Sequence, residues 1–457
     1  MKSYDIKPNE ENVIKALKEN LIKRNGDLVL FYELLCAQEN SCSIALDGRW
    51  GSGKTFFVKQ EQLIINAKNS VSDMDEEKRN VILNNLSFRN RDESDEDCSL
   101  AVYYDAWEHD NDKDPIVSIV YEITKQLSIK YAFDETEKAI KVAASIVDFF
   151  TGKNLGEIKE ALENNNPIAK FKEEKDIEDR LREFFSEILN ERGNRLVVFI
   201  DELDRCRPSY AVQLLERIKH YLEDDRITFV FSVNLAELQH TVKHYYGNEF
   251  DACRYLDRFF DLRIELPPAD LTAFYSKIGL DSSYTVETVC RRVIEYYGFQ
   301  LRDTTRYYRT VRTAIYEPTH ESRKWDFTFS DGKARQLVLL YIVPVVIGLR
   351  IANIEEYQAF MMGKSPETLI NIFANSDIGH WAVEDLLNND ESFAEGENKK
   401  LVTKEDKLRE LYNAIFVDEY TGNSYCKTMG KYQFDNKSKQ FVKRVASMLS
   451  QYTDLTV

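Results

Sequence analysis

Gly48-Arg49-Trp50-Gly51-Ser52-Gly53-Lys54-Thr55 (GRWGSGKT) is the stretch on which the reading of this chain turns. It fits the pattern GxxxxGK[ST]. A short apolar run, Ser43–Leu46, ends in Asp47 before it, and a helix is expected from Lys54 onward, which is the context the pattern requires. Glycines let successive backbone N–H groups converge on one phosphate, and the N-terminus of the following helix adds a favourable dipole. Lys54 can then reach the β- and γ-phosphates of a nucleotide and Thr55 can ligate Mg2+. Gly48, Trp50, Gly51, Ser52, Gly53 and Phe56 complete the expected nucleotide contacts.

A second signal is Leu196–Asp204, LVVFIDELD, an apolar run closed by paired acids. On its own such a run is a common strand ending in solvated carboxylates. Behind a phosphate loop it gains a division of labour: Asp201 in the Mg2+ shell and Glu202 activating a water for attack on the γ-phosphate. A further strand, Ala101–Ala106, intervenes between the loop strand and the Asp201 strand. With Glu202, it favours the hydrolytic P-loop branch that carries an added catalytic glutamate over the kinase and GTPase branch. No guanine-specifying NKxD occurs, which favours ATP.

Working outward, residues 10–36 read as one helix from the spacing of Val13, Ile14, Leu17, Leu21 and Ile22. Residues 68–98 are polar and charge-rich and read as an exposed insertion. Pro115 opens a helix, residues 135–175 form a helical, charge-rich spacer, and Glu178–Leu189 is an amphipathic helix. Ile227–Val233 and Asp261–Leu266 are further strands, and Pro267-Pro268 closes the core. Residues 284–316 and most of the remainder are helical. Short apolar strands alternating with helices mean an α/β fold, a largely parallel sheet covered on both faces. The expected division is a core over 1–268, with insertions at 68–98 and 135–175, and a helical lid and partner-binding region over 269–457.

Three further groups are candidates. Asn234 ends the Ile227–Val233 strand, where a polar side chain can orient water or touch the γ-phosphate; turns also use Asn there. Arg254 and Arg258 flank Tyr255–Asp257, placed either to project into a neighbour's site or to pair with Asp257 or Asp261. Arg302, Arg306, Arg309 and Arg312 share one helix face. One of them, Arg302 in the first place, can reach the nucleotide; the stripe can bind nucleic acid phosphates; or it can pair with the chain's many carboxylates.

Composition limits the partners. The 457 residues carry 61 basic and 78 acidic side chains, net −17, which argues against coating nucleic acid with the whole surface and leaves room for a local basic groove. The acids concentrate in stretches such as Arg89–Asp97 and Glu173–Glu183. Seven cysteines without a CxxC pair, and scattered histidines, offer no zinc spacing and read as reduced thiols in a cytoplasm. The N-terminus lacks a secretory apolar region. The longest charge-free apolar run, Leu337–Leu349, rises about 20 Å as a helix, short of a ~30 Å bilayer core, and Pro344 is expected to interrupt it.

Taken together, DGRWGSGKT, YYDAWEHD, VVFIDELDRCRP and YLDRFF resemble the KAP family of P-loop NTPases over roughly residues 10–315. Trp50, Ala106–Trp107 and Leu203–Pro208 are more specific to it than the phosphate-loop pattern. The resemblance implies an ASCE/AAA-like core with Mg2+ and ATP as cofactors. It places Gly51, Gly53, Lys54 and Thr55 at the phosphates and Mg2+, and Asp201 with Glu202 as the metal-shell and base pair. Members usually carry Asp-Asp at that pair; Glu202 preserves the chemistry. Asp204 and Arg205 complete an LDR element without an assigned role. Many members thread transmembrane helices between the two motifs, but Ala139–Phe150, the most apolar segment there, contains Lys141 and Asp148 and cannot span a bilayer. This looks like a soluble variant, with an interfacial helix at Ala139–Phe150 as the alternative.

Some relatives take part in phage defence, so the resemblance suggests a defence-linked role with protein partners encoded nearby. The leading expectation is an ATP-driven switch or assembly ATPase in a homo- or hetero-oligomer, slow without its partner. The alternatives are a nucleic-acid motor or loader, which the net charge disfavours, and a structural subunit that binds ATP without cleaving it.

Overall fold

The computed structural model describes residues 7–38, 40–72, 74–88, 99–130, 142–147, 179–189, 193–221, 224–280, 285–320, 332–374, 376–395, 398–421 and 425–447. They fall into two compact units, Ile6–Leu271 and Thr272–Val457.

Five parallel strands centre the first unit: β1 Cys42–Asp47, β2 Ser99–Asp105, β3 Arg195–Asp201, β4 Ile227–Val233 and β5 Leu262–Glu265, in the order β2-β3-β4-β1-β5. Helices α1 Glu10–Glu19, α2 Asn25–Cys36, α3 Lys54–Lys68 and α4 Glu76–Leu83 contribute to one apolar cluster. Helices α5 Pro115–Lys130, α6 Pro208–Tyr221, α7 Leu235–Tyr246 and α8 Ala252–Leu256 contribute to the other, with helical segments 142–147 and 179–189. Strand alternation separates the two: Leu196, Val198 and Ile200 of β3 join the second cluster, Val197 and Phe199 the first. Both faces of β3 and β4 are therefore buried, as a covered parallel sheet demands.

The strand lying between the loop strand β1 and the Asp201 strand β3 is β4. The strand assigned that place by chain order, β2, sits at the sheet edge beside β3. Side-chain amides occupy its free edge. Asn66 both accepts from the Ala101 N–H (3.2 Å) and donates to its carbonyl (3.3 Å). Gln126 does the same at Tyr103 (3.1 and 2.6 Å). An edge capped this way offers no template for another strand.

Several sequence expectations change. Residues 10–36 form two helices, not one, because Asn20 adopts a left-handed conformation (φ 44°) that ends α1. Asn25 then satisfies the Leu17 carbonyl through its amide (2.9 Å). Within 68–98, α4 is packed, not exposed: Ile82 is fully buried, and Arg79 donates to the Asn69 and Ser72 carbonyls (2.9 and 3.1 Å). The acidic run 89–98 lies outside the described residues, as does most of 135–175. Of the latter, Val142, Ala143 and Ile146 are buried in the core.

Glu61 of α3 is fully buried, and neither carboxylate oxygen has a hydrogen-bond partner. Burial pushes its pKa well above the ordinary range. A raised carboxyl pKa stabilises the fold fully below the unfolded value, near 4.3, and that stability is lost as pH rises toward the folded value. Denaturant unfolding at pH 5 and pH 8 should show the wild type losing stability relative to Glu61→Gln, by up to about 1.4 kcal/mol per pH unit.

The second unit is helical, with α9 Thr272–Ile278, α10 Thr285–Tyr297, α11 Leu301–His320 and a long helix built from Gly332–Leu337, a π-helical turn Val338–Ile342 and Val343–Ala352. Pro344 does not interrupt this helix. Leu340, whose carbonyl the proline ring would otherwise strike, lies in the wider π turn, so the chain continues through it. Lys333–Ala352 is thus long and apolar enough to cross a membrane by length and composition, while 67% of its most apolar window is buried in the protein. Two small two-stranded sheets, Glu391–Ser392 with Lys400–Leu401 and Lys427–Met429 with Tyr432–Phe434, were not apparent in the sequence.

Candidate active site

The C-terminal ends of β1, β3 and β4 lie level in register (Leu46 and Asp201 both opposite Ser232), which brings their following loops together. The Gly48 N–H donates to the Val233 carbonyl (3.1 Å), fixing the start of the phosphate loop to β4. Gly51 and Gly53 have φ of 81° and 92°, a left-handed backbone where a side chain would be strained. A Cβ on Gly48 would lie 2.9 Å from the Ser52 Oγ and 3.3 Å from the Lys54 Cγ. The Ser52 hydroxyl is buried without a partner, an orphan that a phosphate oxygen fits. Lys54 is buried and its Nζ folds back onto the Gly48 carbonyl (2.5 Å). Burial lowers its pKa, against the opposing pull of Asp204, Asp201, Glu202 and Asp47.

Asp201 is buried at the end of β3, and one carboxylate oxygen accepts the Tyr103 hydroxyl from β2 (3.0 Å). Glu202 follows with φ 60°, an unfavourable conformation for a non-glycine residue that opens a single 3₁₀ turn, Leu203–Arg205. Its carboxylate meets the Arg205 Nε at 2.6 Å. Burial, then Asp201, pushes the Glu202 pKa up to about 7, with Arg205 opposing. Asp204 accepts the Trp50 indole N–H (2.5 Å) and the Asn234 backbone N–H, and burial raises its pKa too. Asp105, at the end of β2, is likewise raised by burial while it accepts the Trp107 and Glu108 N–H groups (3.1 and 3.2 Å).

So many half-desolvated acids around one lysine leave the site short of positive charge. Oxygen donors from Thr55 and Asp201 suit a hard cation such as Mg2+. No group of three or more His, Cys, Asp or Glu side chains able to hold a metal alone occurs among the described residues. Mg2+ commonly takes one or two carboxylates and draws its other ligands from phosphates and water.

Of the other candidates, Asn234 is half-buried at the start of α7, and its side chain makes no capping bond; the Leu235 N–H instead goes to Asp47 (2.9 Å). Trp50 turns toward Asp204. Phe56 packs against the α1–α4 cluster, which gives it a core role. Arg254 and Arg258 are exposed, but neither takes the expected carboxylate among the described residues: Asp257 pairs with Arg263, and Asp261 accepts the Ser43 N–H (2.8 Å). Arg302 belongs to the second unit. There it is exposed on α11 with Arg306, Arg309 and Arg312, opposite buried Thr304, Tyr307, Tyr308 and Val311.

Sequence reasoning missed Arg24. It is buried just before α2, donating to the Ser52 carbonyl of the phosphate loop (2.8 Å) and to the Pro267 carbonyl beyond β5. Burial lowers its pKa to about 10. Nothing local marks it, since its partners are distant backbone carbonyls. Arg24→Ala should cost roughly 2–4 kcal/mol in denaturant unfolding, because two buried carbonyls lose a charged donor. Arg24→Lys should restore little, because a single ammonium cannot span both.

The sequence model described as the KAP family P-loop domain matches residues 28–316. No curated protein matches the chain. Among solved structures, "Structure of C. elegans PCH-2" aligns over 88% of this chain and 68% of that one, at 11% identity and a TM-score of 0.20, too low to bear on the fold.

Proposed function

This chain belongs to the KAP family of P-loop NTPases, and from that premise we propose that it is a Mg2+-dependent ATPase working as a nucleotide switch or assembly ATPase. The observation that carries the reading is the convergence of Lys54 and the orphaned Ser52 hydroxyl with Asp201, Glu202 and Asp204 at the level ends of β1, β4 and β3. The backbone of 48–55 and Lys54 hold the β- and γ-phosphates. Thr55 and Asp201 hold Mg2+, which when bound neutralises charge on the phosphates. Glu202 takes a proton from the attacking water, for which a carboxyl poised near neutrality is well matched. Asn234 orients that water or touches the γ-phosphate. Arg254 or Arg258, exposed and unclaimed by Asp257 or Asp261, supplies a charge to a neighbouring copy.

ATP is preferred over GTP because no guanine-reading NKxD is present. Titration calorimetry tests this: Mg·ATP should bind more tightly than Mg·GTP and lose affinity in EDTA, and equal affinities would remove the preference. Partners encoded nearby and a place in phage defence are supported by the resemblance alone. Phage plating on cells carrying wild type or Lys54→Ala, each with the neighbouring genes, tests that setting; equal plating would remove it.

The α11 stripe favours one second reading. Arg302, Arg306 and Arg309 are exposed and make no ion pair among the described residues. A nucleic-acid partner would show binding that falls steeply with salt and weakens in a triple Ala variant; no binding at low salt would discard it.

A further inference from the structure

The hydrolytic site contains an arginine to which the phosphate-loop chemistry gives no task. Arg205 meets Glu202 through Nε at 2.6 Å, with both side chains mostly shielded from solvent. Its guanidinium carbon lies 5.9 Å from the centre of the Trp50 ring and 5.7 Å from that of Trp107, within cation–π range of both. Those tryptophans come from different elements. Trp50 is in the phosphate loop and holds Asp204 through its indole N–H, and Trp107 is in the turn after β2. Both are large apolar side chains left considerably exposed, at 44% and 54%.

An ion pair of this kind occupies lone pairs on Glu202 that a water would otherwise use, and it ties the carboxylate to the 3₁₀ turn. We propose that Arg205 is a positioning residue that latches Glu202 away from full activity, and that Trp50 and Trp107 hold the latch closed. Because Trp50 is part of the phosphate loop, movement of that loop is felt at Arg205. The latch deepens the assignment of Glu202 as base and rests on it.

The test uses the full-length protein, with steady-state phosphate release at saturating Mg·ATP and calorimetric ATP affinity. Arg205→Ala should raise kcat about two- to fivefold, the scale of one partly screened ion pair, with Kd within about twofold. Trp107→Ala should act in the same direction and add little to Arg205→Ala in the double variant. Arg205→Lys, which keeps charge but loses the planar stack, should fall between; if Arg205→Ala fails to fold, this variant and Trp107→Ala carry the test. Glu202→Gln/Arg205→Ala should be as inactive as Glu202→Gln alone, which a merely structural arginine would not require. A fall in kcat for Arg205→Ala at unchanged Kd would overturn the latch, as would a gain that persists without Glu202. Full activity in Glu202→Gln alone would instead overturn the base assignment, a separate outcome.

Discussion

Glu202→Gln is expected to lower ATP turnover by about 10²–10⁴-fold, the usual contribution of a positioned general base, while ATP affinity changes by no more than a few-fold. The amide preserves shape and can still accept from Arg205, so the 3₁₀ turn keeps its geometry, but it cannot take a proton. Its placement supports the size of the effect: Glu202 follows the buried Asp201 directly and is half-desolvated, with its pKa pushed up to about 7. Steady-state phosphate release paired with calorimetric binding separates the two quantities. Should turnover survive, Asp204 becomes the next candidate, being buried and electrostatically coupled to Lys54.

Lys54→Ala is expected to act on binding as well as chemistry. A charge-assisted hydrogen bond to phosphate contributes roughly 1.5–3 kcal/mol, so affinity for Mg·ATP should fall about 10- to 150-fold and hydrolysis should become undetectable. The same change removes a cation electrostatically coupled to Asp204, Asp201, Glu202 and Asp47, so the empty protein should gain no stability from the loss of a buried charge. Calorimetry and thermal unfolding with and without Mg·ATP measure both effects. An unchanged Kd would mean that nucleotide binds elsewhere.

The phosphate loop, the Asp201–Glu202 pair and the parallel sheet were legible because each is written locally, as glycines at fixed offsets or an apolar run before acids. What the sequence concealed depends on distant partners. Arg24 is one arginine among many until its guanidinium is seen against the Ser52 and Pro267 carbonyls. Helix α4 sits in a charge-rich stretch whose single strong signal, Ile82, says little until it is found in the core. Pro344 argued for a break because proline ordinarily ends a helix, and the π turn that accommodates it has no simple pattern. Arg205 was visible only as part of a motif; its contact with Glu202 and the two tryptophans requires three separate loops to be placed.

The most direct measurement is a single turnover: radiolabelled ATP with excess wild-type protein and Mg2+, quenched over time and resolved into ATP and ADP. Bound ATP should be converted to ADP and phosphate, slowly in the protein alone. ATP that is tightly bound yet recovered intact at every time would contradict hydrolysis at Glu202 and leave a protein that only binds nucleotide.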